Sequence, residues 1–143
     1  MMTTRREQIL AQIATTLAGT AGVSGRVYRS RVTALARAES PAVIVEPTTD
    51  TCQQNTSLPK LDWTMRVRVT VTIRSPNAYT DADPVIESMH SLLMADLTLG
   101  GLSIDIQPVI TNFDFFDADQ PAGVFSCDYE VLYRTQVADL TSY

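Results

Sequence analysis

The sequence is poor in the residues that enzyme chemistry usually draws on. Its 143 residues include one histidine, two cysteines and one tryptophan. Zinc needs three or four nitrogen and sulfur ligands, and His90, Cys52 and Cys127 stand at unrelated spacings. Asp81 and Asp83 are explained by a helix start, and no calcium-loop pattern follows them. Gly100-Gly101 lacks the spacing and the lysine of a phosphate loop. No serine stands in the strained turn, beside a base, that a nucleophile requires. No apolar run reaches the ~18 residues of a membrane helix, so no membrane partner is expected. Glu7, Gln8 and Gln12 interrupt the stretch that a signal peptide would need. Cys52 lies in a polar segment and Cys127 on the apolar face of a strand. Two free thiols and a cytosolic setting follow. Catalytic, cofactor and metal sites are therefore expected to be absent. His90 reads either as a general base or as a boundary residue beside the Ile86–Met89–Leu93 stripe, with the boundary role preferred.

What the chain does contain is apolar and strongly patterned. Hydrophobic content is 45% against 19% charged, which places it among globular rather than disordered chains. Its length fits one domain over 1–143. The segment LDWTMRVRVTVTIRS, residues 61–75, alternates apolar and polar without interruption and reads as one half-buried strand. At ~3.3 Å per residue it would span roughly 50 Å, far more than two helices of ~15 residues can cover. One end of its hairpin is therefore expected to project.

The remaining elements follow from periodicity and punctuation. Thr4 and Glu7 have capping-box spacing, and Ile9, Ile13 and Leu17 with Leu10 and Ala14 make an apolar stripe, so a helix is expected over about 4–18. Val27-Tyr28 reads as a short strand. AVIVE after Pro41 reads as a strand bounded by Pro47, and polar residues 48–60 as a long, mobile loop. Asp83-Pro84 reads as the start of a second amphipathic helix that runs to about Leu97 and stops at Gly100-Gly101. LSIDI and VFSCDYEVLYRT read as strands. The order implies an α+β fold: a largely antiparallel, possibly mixed sheet with two amphipathic helices on one face. If 61–75 pairs with 124–135, Arg66 and Arg68 can face Asp128 and Glu130 across the ladder.

Charge is unevenly spread. Residues 1–80 carry ten basic and five acidic groups, and residues 81–143 carry one basic group, Arg134, and eleven acidic ones. This is either composition noise or a surface with opposed charged faces, which suits association between unlike surfaces. An acidic total of −5 argues against a sequence-specific nucleic-acid binder. NFDFFDADQPAG, residues 112–123, interleaves Phe113, Phe115 and Phe116 with Asp114, Asp117 and Asp119. Either two of the rings tuck under a loop, or they form an exposed aromatic patch with an acidic rim, as interface centres do. The complementary basic segment in the same chain carries Arg29, Arg31 and Arg37. A surface that matches a different surface of an identical molecule gives head-to-tail contact and, where the rotation allows, a closed ring.

The order of these segments, with VYRSRVTALARAESPAVIVEP, the long alternating strand, a helix ending in LGGL and a final PAGVFSCDYEVLYRTQ, resembles the tail terminator proteins of long-tailed bacteriophages. The resemblance covers nearly the whole chain and involves no catalytic motif. It implies a non-enzymatic virion protein, assembled in the bacterial cytoplasm, that forms a hexameric ring at the head–tail junction. Such a ring caps the tail tube protein, stops tube growth, receives the head or neck protein on its other face and leaves room for DNA to pass. Neck and head-completion proteins are the nearest alternative. A small hydrolase or ligand-binding domain using His90 with Asp96 or Glu87 is a third reading.

Overall fold

A computed structural model describes residues 3–29, 41–54, 59–116 and 122–141. In chain order the elements are helix α1 (Arg5–Leu17), strands β1 (Val27–Tyr28), β2 (Ala42–Gln53) and β3 (Lys60–Ile73), and helix α2 (Ala78–Met94). A short 3-10 turn (Leu99–Gly101) and strands β4 (Asp105–Phe116) and β5 (Ala122–Gln136) complete them. The strands form one five-stranded sheet in the order β1-β2-β3-β5-β4. All pairings are antiparallel except β1 with β2, so the sheet is mixed and the fold α+β, as expected.

Alternation in β3 and β5 decides which sheet face the helices cover. Met65, Val67, Val69, Val71 and Ile73 of β3 and Phe125, Cys127, Tyr129, Val131 and Tyr133 of β5 are all buried. They share one core with Ile9, Leu10, Ile13 and Leu17 of α1 and Ala78, Ala82, Val85, Met89 and Leu93 of α2. Each fully buried aliphatic side chain in such a core contributes about 1.5–3 kcal/mol.

The long strand is long because its partner is. β3 pairs with β5 without a break from Lys60↔Gln136 to Ile73↔Gly123. The expected loop over 48–60 is shorter than polarity suggests. Thr48–Gln53 continues β2 past a bulge at Pro47/Thr49, pairing out to Gln53↔Asp62. Residues 55–58 of that loop lie outside the described residues. The end of the β2–β3 hairpin is also tied to the rest of the chain. Asp50 accepts hydrogen bonds from Arg6 Nε at 2.6 Å and from the Tyr133 hydroxyl. Trp63 Nε1 donates to Thr135 Oγ1 at 2.9 Å, and Val137 N–H donates to the Pro59 carbonyl at 3.0 Å.

Helix starts divide into one that follows its sequence signal and one that does not. Thr4 caps α1, its Oγ1 accepting from Glu7 N–H at 3.2 Å. The Glu7 carboxylate goes instead to Arg29, which donates from both terminal nitrogens at 2.9 and 3.0 Å. α2 begins at Asn77 rather than Asp83, so Pro84 sits inside the helix. Its missing N–H forfeits one backbone bond. The stripe Ala78, Ala82, Val85, Met89, Leu93 holds the helix through it.

Candidate functional site

The strand missed by periodicity is the one that forms the surface of interest. LSIDI was expected to be a short strand and 112–123 a separate segment, but Asp105–Phe116 is one edge strand with a bulge at Pro108/Ile110. Proline is tolerated in a sheet at edges and bulges, which is where Pro108 stands. Beyond the bulge, Phe113 pairs with Phe125 and Phe115 with Gly123.

That register decides between the two readings of the phenylalanines. Phe113 is 58% exposed and Phe115 38%. Tyr79, in the first turn of α2, lies beside them at 55% exposure. Its ring centroid is 6.3 Å from Phe113 and 6.1 Å from Phe115, the latter pair stacked. Phe125, fully buried below, meets Tyr79 at 5.6 Å and Phe113 at 5.8 Å, both edge-on. The result is an aromatic ledge whose base belongs to the core and whose top is open. Phe116 ends the strand, and its side chain lies outside the described residues.

A close backbone approach sets the ledge. A Cβ on Gly123 would stand 2.7 Å from the Ala78 Cβ and 2.7 Å from the Phe125 ring. Glycine there lets the start of α2 press onto β5 and brings Tyr79 over β4. The expectation from sequence did not single out Gly123 or Tyr79; the only signal was a glycine inside an otherwise bulky strand.

The surroundings of the ledge are acidic. α2 contributes Asp81, Asp83 and Glu87 and β4 contributes Asp114. No lysine or arginine occurs between Arg74 and Arg134. Arg29, directly after β1, lies at the opposite end of the sheet from Asp114. Four strand spacings of ~4.8 Å put roughly 19 Å between those edges. Of the remaining expected interface residues, Arg31, Arg37, Asp117 and Asp119 lie outside the described residues.

The expected cross-strand charge pairs form with a change of partner. Arg68 faces Asp128 and Arg66 faces Glu130 in the ladder, but both arginines reach Asp128, their Nε atoms 3.0 and 3.1 Å from its two oxygens. Asp128 is only 2% exposed although it lies on the sheet face away from the helices. The two guanidinium groups cover it, and Asp128 in turn raises the Arg68 pKa.

A groove of about 560 Å3 runs between α2 and β4, with Asp83, Glu87 and His90 on one wall, Val109 and Ile110 on the other and Tyr129 below. His90 Nδ1 lies 2.9 Å from the Tyr129 hydroxyl, and their rings stack at 5.9 Å. Burial pushes both the Tyr129 hydroxyl and the Cys127 thiol up, away from ionisation. Glu87 accepts from Ser91 at 2.8 Å, one turn along the helix. Asp96 is placed elsewhere, accepting from Thr98 and from Gly100 N–H to hold the turn after α2, which keeps its pKa low. Of the carboxylates considered for His90, Glu87 reaches the groove and Asp96 does not.

Among the described residues no helix is long and apolar enough to cross a membrane. Nor do three His, Cys, Asp or Glu side chains gather there as a metal-binding set. Compared with known proteins, the sequence matches no family model and no curated protein.

Proposed function

We propose that this chain is a structural, non-enzymatic subunit that assembles head to tail into a ring, as the tail terminator of a long-tailed phage. The ring is taken to have six copies. One face caps the tail tube and stops its growth, and the other receives the head or neck protein. The observation that carries this reading is the exposed ledge of Tyr79, Phe113 and Phe115 on an acidic sheet edge, with Arg29 at the far edge of the same sheet. Aromatic groups concentrate at interface centres. Two unlike edges on one molecule suit heterologous contact, which closes into rings when the rotation permits. The segment order that resembles the terminator family points to the same conclusion. A connector protein of the neck would use the same surfaces and is separated from a terminator by its partner.

The deciding experiment is light scattering of the native protein with and without tail tubes. A ring-sized particle alone, or binding at tube ends that halts elongation, is the expected result. A strict monomer that ignores tube ends would overturn the proposal.

The groove holding His90 beside Asp83 and Glu87 favours a second reading, a small ligand-binding or hydrolytic domain. Ester hydrolysis that is abolished by His90→Ala, in a protein that stays monomeric, would select it.

A further inference from the structure

α2 packs over β3 and β5 and leaves β4 outside its cover, so Gln107–Phe115 are exposed without exception. No described strand pairs with the outer side of β4. A free edge presents unpaired N–H and C=O groups and invites another strand. Proteins blunt such edges with proline, bulges or lysine. Pro108 and the bulge blunt the start of β4, but Ile110–Phe116 runs unbroken against β5 and contains neither proline nor lysine. α2 lies alongside this edge in the opposite direction. Its Tyr79 meets Phe113 and Phe115, while its Asp83 and Glu87 stand across the groove from Val109 and Ile110. Tyr79, Asp83 and Glu87 recur every fourth residue, so they share one helix face at intervals of about 6 Å along the axis. Same-face side chains of an extended chain recur at about 6.6 Å. Over so short a distance the two repeats keep step.

We propose that the β4 edge over Ile110–Phe116 takes an extended segment of a partner protein as an added strand, with an apolar side chain on the ledge and lysine or arginine at the next two same-face positions, opposite Asp83 and Glu87. The partner's pattern is then apolar-x-basic-x-basic. The inference shares with the ring reading only that the ledge is an interface centre, and it needs no contact between copies. Each part of the strip has one task. Backbone pairing sets the register, the rings gain from being covered, and charge selects the partner. The charge is one-sided, since neither α2 nor β4 holds a lysine or arginine. Among the described residues this chain offers no strand of the required kind to a second copy. β3, the strand rich in arginine, is paired on both sides. At β1 the Val27 N–H donates to the Gly25 carbonyl, and Arg29 is held by Glu7. A second β4 with its α2 would bring carboxylates to carboxylates, and like charges across a ladder are unfavourable. The occupant is therefore a different protein.

The probe is a short blocked peptide in which threonine alternates with leucine, arginine and arginine in that order. Its controls are a peptide of the same composition with the two arginines on opposite faces, and one with glutamate for arginine. Fluorescence anisotropy reads binding to the native protein, diluted until light scattering shows its smallest particle. The ordered peptide is expected to bind roughly tenfold tighter than the permuted one, and the glutamate peptide not at all. Asp83→Asn/Glu87→Gln should weaken the ordered peptide by a similar factor and flatten its salt dependence. Hydrogen exchange on native protein should show the peptide protecting amides of Ile110–Phe116 and sparing those of Asp105–Gln107. Equal binding of ordered and permuted peptides would overturn the proposal, as would no binding, or binding without that protection. Protection of Ile110–Phe116 that rises with protein concentration and ignores the peptide would give the edge to a second copy and also overturn it. A strict monomer that binds the peptide but ignores tube ends keeps this inference and loses the ring; rings that ignore the peptide do the reverse. The peptide comparison and the exchange measurement use native protein, so a misfolded variant leaves the result decisive.

Discussion

Gly123 and Ala78 meet so closely that the glycine has no room for a single methyl group: a Cβ would stand 2.7 Å from the Ala78 Cβ. The contact joins the first turn of α2 to β5 and fixes Tyr79 above β4. Gly123→Ala should therefore destabilise the fold by about 1–3 kcal/mol, the usual cost of overpacking, with Gly123→Val worse. Urea melts check the number. The companion effect is on the ledge: Tyr79 should become more mobile by NMR in Gly123→Ala than in a core variant of equal stability, such as Val67→Ala. Equal mobility in the two would detach the ledge from this contact.

Asp128 is nearly inaccessible and has two arginines, so each one partly insures the other. Arg66→Ala or Arg68→Ala alone should cost about 1 kcal/mol, the net worth of an ordinary hydrogen bond, because both arginines are partly exposed and the other remains on the carboxylate. The double variant should cost more than the sum by about 0.5–3 kcal/mol, because only then does the carboxylate lose both partners. A double-mutant cycle by denaturation measures this term. Strict additivity would mean that water replaces the arginines as well as they replace each other.

The proposed assembly should respond to clustered charge and hardly at all to single charges. Exposed pairs are worth ~0–1 kcal/mol each. Changing Asp114, Asp117 and Asp119 together to lysine should leave the melting curve near native and stop assembly. Reversing Arg29, Arg31 and Arg37 to glutamate in a second population should partly restore mixed rings, and raised salt should weaken native assembly. Normal capping by the triple lysine variant would leave apolar and backbone contact as the closing force.

The Glu7–Arg29 pair sets a mild acid sensitivity at the β1 end. The Arg29 hydrogen bonds hold the Glu7 carboxyl below its ordinary value. A depressed folded pKa gives stability that is present above the unfolded value and is lost as pH falls through the folded one. The pair is half-exposed, so Glu7→Gln should cost ~0–1 kcal/mol at neutral pH, and the difference from native should vanish in acid. A gap that persists unchanged at low pH would show that Glu7 acts through packing.

Legibility in the sequence followed how strongly burial marks alternate positions. β3 and β5 are half-buried along their whole length, so their faces, their mutual pairing and the helices' side of the sheet could be read directly. Thr48–Gln53 could not be read as strand, because these residues pair through their backbone while their side chains stand mostly in solvent. β4 was hidden for a related reason. As an edge strand it exposes both faces over much of its length, and Pro108 looks like a break until a bulge is found for it. The start of α2 was displaced because Pro84 has a strong preference for first turns, which the stripe from Ala78 overrides. The aromatic–acidic interleaving of 113–116 was visible as a pattern. Tyr79 was not, since only the fold brings residue 79 next to residues 113 and 115.

The first turn of α1 and the segment after β5 run side by side. Arg5 N–H donates to the Leu140 carbonyl at 2.7 Å, and the Gln8 amide donates to the Thr141 carbonyl at 3.3 Å. Both lie toward the end of the sheet where Lys60 pairs with Gln136, while the ledge lies where Ile73 pairs with Gly123. Along β3 those ends are some thirteen residue steps apart, about 43 Å at ~3.3 Å each. A short peptide joining residues 5 and 140 would close the backbone into a circle without disturbing the sheet.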